Sequence, residues 1–271
     1  MKFSILIAHY NNWDYFKECY QSIIEQTYQN FEIIIVDDYS TDDSYEKLED
    51  LAQKDDRIKL FQNSSNKKVG YTKKRCVDES TGEICGFLDP DDMLDANALK
   101  LAVDVYKNKK NIVATYSKIK LIDENSQPKG FFKFSKEIKN QNRLFFNINF
   151  EVAHFFTFRK ETYQQTSGIN AKLTSAVDQD LYLKLYEKGS FLFINEYHYL
   201  YRLHSKGVSQ DKSKKEKLNQ NWNSVLLATC KRRGIQKLYG QKLEDIKSLS
   251  TFIFEKENTI FKKILRKIKF T

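Results

Sequence analysis

The chain has 271 residues, 41% of them hydrophobic and 30% charged, with 16 Tyr and 20 Phe, so it can bury a core without disulfide or metal staples. Nine Gly and two Pro are too few for a turn-dense all-β sandwich and point to α/β or mostly α structure. The net charge of +9 is unevenly placed, since 17 basic and 6 acidic residues follow Arg202 while the chain up to and including it has 28 basic and 30 acidic; this argues against a nucleic-acid-binding face on the first two hundred residues.

Lys2 to Tyr10 is a mostly apolar run, and Phe31 to Asp38 is a second, rich in β-branched residues. Neither alternates with polar residues in its middle, which predicts strands buried on both faces of a parallel sheet. Between them Tyr15, Phe16, Cys19, Ile23 and Ile24 recur at helical spacing and complete a βαβ unit. Ser44 to Lys54 then predicts a helix, Arg57 to Gln62 a strand, Tyr71 to Ser80 a helix, Glu83 to Asp89 a strand and Asp95 to Asn108 a helix. Such alternation predicts a doubly wound α/β layer, whose ligands bind beyond the carboxyl ends of the strands. Asn111 to Asp123 is β-rich, and the stretch onward to Asn149 reads as loop with irregular strands. Helical periodicity returns near Asp180 and stops at Gly189, after which Phe191 to Ile194 and Tyr197 to Leu203 predict two strands. Beyond Lys212 the chain reads as helical and cationic.

The opening apolar stretch is too short for a signal peptide, and no run of about 18 apolar residues occurs. Cys19, Cys76, Cys85 and Cys230 are scattered, without a C-x-x-C pair. A reducing, cytoplasmic setting is the expectation.

Asp37-Asp38 closes one buried strand and Asp89-Pro90-Asp91-Asp92 follows another, so both acidic clusters belong on one rim. Asp38 either accepts from a ligand N–H or hydroxyl or caps the segment that follows. Three carboxylates within four residues repel one another unless a cation neutralises them, and oxygen ligands suit Mg²⁺ or Mn²⁺; the alternative is a solvated Pro-Asp turn. Neither G-x-G-x-x-G nor G-x-x-x-x-G-K-[ST] is present, so any phosphate must be held by a metal on the acids and a cation such as Arg75.

The runs S-I-L-I-A-H-Y-N-N, S-I-I-E-Q-T-Y-Q-N-F-E-I-I-I-V-D-D-Y-S-T-D and F-L-D-P-D-D-M-L, in this order and spacing, resemble the N-terminal half of the family-2 glycosyltransferases. A-V-D-Q-D-L-Y-L-K-L and Y-R-L-H-S-K-G-V-S resemble that family's helix acid motif and its closing Tyr-Arg-x-His segment, extending the likeness to about residues 1–209. The resemblance implies a GT-A fold, a doubly wound mixed sheet with helices on both faces, over 1–209; residues 210–271, beyond it, read from their own charge and periodicity as a basic helical extension. It also implies an inverting sugar transfer from a nucleoside-diphosphate sugar, UDP-linked by preference, to a glycan or lipid-linked acceptor. By the same resemblance Ala8, Tyr10 and Asp38 lie against the nucleoside, Arg75 near the nucleotide or diphosphate, Asp89 on the ribose, Asp91 on Mn²⁺ or Mg²⁺ with Asp92 close by, and Asp178 is the catalytic base. His204 matches a metal or diphosphate ligand; the residue itself is equally readable as a structural histidine. Val177 stands where the family usually has Glu, and Cys76 where Asn commonly follows the helix Arg. Asp180, about 200° around the helix from Asp178, is expected to face the opposite way and to tolerate Asn.

Ile260, Phe261, Ile264, Leu265 and Ile268 line one helical face with Lys262, Lys263, Arg266 and Lys267 around it. Residues 260–269 therefore suit either the surface of an anionic membrane or a terminal helix packed on its own domain. A catalytically silent module of the same fold and, further off, a nucleic-acid-binding protein are the competing functions; the acids Asp89, Asp91 and Asp178 speak against the first and the acidic balance before Arg202 against the second.

Overall fold

The computed structural model describes residues 1–205 and 215–259. Phe3–His9 forms strand β1, Trp13–Ile24 helix α1 and Phe31–Asp37 strand β2, with β1 and β2 parallel and Ile5 beside Ile33. Successive strand side chains point to opposite faces. Ile5, Ile7, Ile33 and Ile35 therefore pack on one side and Leu6, Ile34 and Val36 on the other, all buried. Burying each of them fully contributes about 1.5–3 kcal/mol, so both faces must be covered. The chain continues through Ser44–Ala52 (α2), Ile58–Gln62 (β3), Lys68–Glu79 (α3) and Ile84–Phe87 (β4). α1 covers the first face through Phe16, Cys19 and Ile23, and α3 the second through Cys76 and Val77.

After β4 come Met93–Leu94 (β5), Ala98–Asn108 (α4), Ile112–Ile122 (β6), Pro128–Phe131 (β7), Thr157–Arg159 (β8), Lys160–Gln164 (α5), Val177–Tyr186 (α6) and Ser190–Arg202 (β9). These strands form one mixed sheet in the order β3-β2-β1-β4-β8-β6-β9-β5, with β7 on β6. β8 runs antiparallel to both β4 and β6 and so joins the doubly wound part to the rest. The two strands expected over 191–203 are one, β9: Ile194 pairs with Ser117 and Tyr197 with Lys118, and the exposed Asn195 and Glu196 bulge out between them.

Lys215–Arg232 (α7), Lys237–Leu238 (β10), Gln241–Lys242 (β11) and Leu249–Glu257 (α8) follow. The expectation of an all-helical end is thus corrected: Tyr239 and Gly240, both at positive φ, close a two-residue hairpin between β10 and β11. Val225, Leu226, Cys230, Leu238 and Ile253 enter the same apolar cluster as Cys76 and Leu181, so α7 and α8 rest on the α3–α6 face of the sheet. Segment 260–269 lies outside the described residues. Among those residues no helix is long and apolar enough to cross a membrane, and all four cysteines are free and buried.

Candidate active site

The carboxyl ends of β1, β2 and β4 form one edge, and the acids sit on it. Asp37 is fully buried; burial pushes its carboxyl up, but hydrogen bonds from His9 and Ser40 outweigh this and hold it below the usual carboxylate range. It is a framework acid. Asp38 is 5% exposed, and its Oδ1 accepts from Asn63 Nδ2 at 2.8 Å and the Lys67 amide at 2.7 Å, its Oδ2 from the Lys68 amide at 2.9 Å. It therefore ties β2 to the N-terminus of α3. A carboxylate offers about four acceptor positions, so one remains. Arg75 donates to the Gln62 carbonyl at 2.6 Å and to Asn63 Oδ1 at 2.9 Å, which links it through Asn63 to Asp38. Ala8 is half-buried near the end of β1, and Tyr10, just past it, is 43% exposed.

The acid loop after β4 is held from below by Arg202. This fully buried guanidinium donates to the Asp91 carbonyl at 2.8 Å, Ser126 Oγ at 2.8 Å and Glu18 Oε2 at 2.8 Å, and lies 4.7 Å from the Tyr15 ring centroid. The Arg202 amide donates to Asp92 Oδ1 at 2.7 Å. Asp92 is 1% exposed; burial and the charges of Asp91 and Asp89 push its carboxyl well up, so it serves the loop from inside rather than facing the rim. Asp91 is turned outward, its Oδ2 2.8 Å from His204 Nε2, and the His204 ring lies 4.8 Å from that of Tyr15.

Asp178 lies in the first turn of α6, where the helix dipole favours a negative charge. Its Oδ1 is 2.9 Å from Lys73 Nζ, and the same nitrogen is 3.1 Å from Asp89 Oδ1. Burial opposes the charge on Lys73, but Asp178 and Asp89 outweigh it and hold the ammonium above its usual range. The Asp89 carboxyl is pushed up by burial and pulled further down by Lys73. Asp180 faces away from Asp178, as its spacing predicts, yet into the interior: its Oδ2 accepts from Lys184 Nζ at 2.7 Å and from the Asn170 amide at 3.0 Å. The expectation that it tolerates Asn is corrected, because amidation removes the ion pair of the buried Lys184 and leaves its ammonium the neutral Gly168 carbonyl at 2.7 Å.

Three groups therefore meet on the rim: Asp38 with Arg75, Asp91 with His204, and Asp89 with Asp178 through Lys73. Sequence reasoning missed Lys73 and the bracing role of Arg202. Lys73 shares one face of α3 with the buried Gly70 and Val77, a placement that the neighbouring Lys74 and Arg75 conceal in the sequence. Asp91 and His204 offer an oxygen and a nitrogen side by side, and a divalent ion completed by phosphate and water fits that pair. Among the described residues no set of three His, Cys, Asp or Glu side chains converges as a ready cage.

The profile of the family described as Glycosyl transferase family 2 matches residues 4–166, a stretch that contains the whole acid rim of β1, β2 and β4. The chain belongs to glycosyl transferase family 2. This family-2 chain is 30% identical over 257 residues to the chondroitin synthase of Escherichia coli, an alignment covering 93% of it and 36% of that protein. It is 27% identical to the hyaluronan synthase of Pasteurella multocida, over 93% of it and 25% of that protein. The chain thus spans only about a third or less of these relatives' lengths. Among solved structures it resembles S. aureus TarS 1–349 in complex with UDP-GlcNAc, with a TM-score of 0.71 at 19% identity over 97% of this chain and 78% of that one. TarS 1–349 in complex with UDP gives 0.65 over 84% and 66%. The fold is of the GT-A type.

Proposed function

We propose that this family-2 chain moves a hexosyl or N-acetylhexosaminyl group from a UDP-sugar to a hydroxyl of a glycan or lipid-linked acceptor, with inversion at the anomeric carbon. The observation that carries the reading is the meeting of Asp89 and Asp178, from β4 and α6, at one point on the strand-end rim. The acceptor oxygen bonds to the anomeric carbon as the bond to the diphosphate breaks, and Asp178 takes the hydroxyl proton, a role typically worth about 10²–10⁴-fold. Asp89 holds the ribose, Tyr10 and Ala8 border the nucleoside, and the remaining acceptor position of Asp38 suits the uracil N–H. Arg75, tethered to Asn63, serves the nucleotide on that same side. Asp91 and His204 would hold Mn²⁺ or Mg²⁺, which when bound supplies positive charge toward the leaving diphosphate. The UDP-bound state of the fold-related TarS structures supports this choice of nucleotide. The sequence of 260–269, apolar residues at helical spacing among Lys and Arg, supports peripheral contact with an anionic leaflet where a lipid-linked acceptor would lie.

The test is a panel of UDP-sugars incubated with Mn²⁺ or Mg²⁺, with and without oligosaccharide acceptors, measuring released UDP. One donor should stand out and its consumption should rise with an acceptor. A folded protein that neither binds UDP nor releases it from any donor is instead the silent module.

A further inference from the structure

Lys73 is more than a core residue with a polar tip. Its side chain is 4% exposed, and an ammonium that deep is costly unless its partners are fixed. A single ion pair would have sufficed to neutralise it. Instead its nitrogen is shared between Asp178 on α6 and Asp89 beyond β4, 5.1 Å from the Phe87 ring centroid. The backbone next to it is equally fixed: the Gly70 amide, one turn earlier on α3, donates to the Leu173 carbonyl at 3.1 Å in the turn that leads into α6. Only Oδ1 of Asp178 is engaged by Lys73, and Oδ2 has no hydrogen-bond partner among the described residues. The nitrogen is too enclosed to reach a diphosphate while both acids hold it.

We propose that Lys73 is a positioning residue for sugar transfer: it clamps Asp178 by Oδ1 at a set distance from Asp89, leaving Oδ2 as the oxygen that receives the acceptor's proton. This rests on the reading of Asp178 as the base. A catalytic group displaced by about 1 Å can lose on the order of 10²-fold in rate, which sets the scale of the effect.

The experiment compares Lys73→Met, Lys73→Arg, Asp178→Asn and the Lys73→Met/Asp178→Asn pair, using the UDP-sugar selected by the panel above. Turnover, donor KM, UDP affinity by calorimetry and thermal melting are measured for each. Lys73→Met should lose roughly 10- to 100-fold in turnover with UDP affinity and donor KM within about threefold of wild type. Lys73→Arg, which keeps the charge but moves it, should regain part of the loss. Adding Lys73→Met to Asp178→Asn should cost no further turnover, because the lysine acts through that acid. Wild-type turnover in folded Lys73→Met, a loss confined to donor KM, or a further loss in the pair each overturns the proposal. Where Lys73→Met does not fold, Lys73→Arg decides: turnover below about half of wild type at unchanged donor KM supports it, and full turnover overturns it. Normal turnover in Asp178→Asn retires the base reading itself, whereas loss there with full turnover in Lys73→Met retires only the role of Lys73.

Discussion

His204 Nε2 lies 2.8 Å from Asp91 Oδ2, so the residue two beyond the end of β9 closes on the acid loop that follows β4. Arg202 braces this contact from below by holding the Asp91 carbonyl and, through its amide, Asp92. A loop held by buried bonds presents Asp91 with little reorganisation, which is what a metal ligand requires.

The first prediction follows from that pair. Stripping divalent ions with EDTA should abolish UDP release, and Mn²⁺ or Mg²⁺ should restore it. Asp91→Ala should stay inactive at any metal concentration, while His204→Ala should raise the half-saturating Mn²⁺ concentration by about 10- to 100-fold. Undiminished release in chelator would remove the metal from the reading.

The second prediction separates the two acids of α6. Asp178→Asn should lower turnover by about 10²–10⁴-fold at nearly unchanged UDP affinity, with a modest fall in melting temperature, because Asp89 still neutralises the buried Lys73. Asp180→Asn should act on stability instead: breaking a buried pair costs about 3–5 kcal/mol, or on the order of 10 °C in a domain of this size. The checks are melting curves and turnover on both. Were Asp180→Asn to melt like wild type while losing turnover, the base would have to be reassigned to Asp180.

These two acids show where sequence reading ends. β1 and β2 are legible because burial on both faces leaves a local trace, an unbroken apolar run. β5 and β8 have two and three residues, too few to display a period, and their places are set by β9 on one side and by β4 and β6 on the other. The strand-end acids are legible as unusual charge next to apolar runs. Their partners are not, because Lys73 and Lys184 look in sequence like members of solvated helix faces, and only the packing of α3 and α6 puts them inside.

A third prediction concerns the other end of the sheet. Glu32, 2% exposed, accepts from Lys2 Nζ at 2.6 Å, Lys59 Nζ at 2.8 Å and Ser4 Oγ at 2.6 Å. Burial pushes its carboxyl up, but the two lysines, Ser4 and Thr81 outweigh it and hold it far below the usual range. A depressed folded value means the stabilisation is complete above the unfolded value of about 4.3 and fades as pH falls from there toward the folded value. Glu32→Gln should lower stability at pH 7 by about 1–3 kcal/mol and flatten the acid side of the curve of melting temperature against pH. An equally steep acid side in the variant would place the responsible carboxyl elsewhere.

The fourth prediction tests how α3 is seated. A methyl group on Gly70 would overlap the Leu173 carbonyl oxygen and lie 2.8 Å from that of Asn170. Both obstacles are backbone, so neither can turn aside as a side chain would. Alanine is the better helix former by about 0.5–1 kcal/mol, whereas overpacking costs about 1–3 kcal/mol. The clash should win, and Gly70→Ala should melt a few degrees below wild type. The direction of the strain matters more than its size: α3 has to lift from the 170–173 turn, stretching the Gly70–Leu173 hydrogen bond and carrying Lys73 away from Asp178. Turnover should then fall by about tenfold at nearly constant donor KM, a pattern that simple loss of folded protein would not give once corrected for active concentration. Measured side by side, melting temperature, turnover and donor KM decide it. If Gly70→Ala melts at or above the wild-type temperature with full turnover, the helix has absorbed the methyl group, and the close approach of α3 to the turn is not what sets the spacing of Lys73 and Asp178.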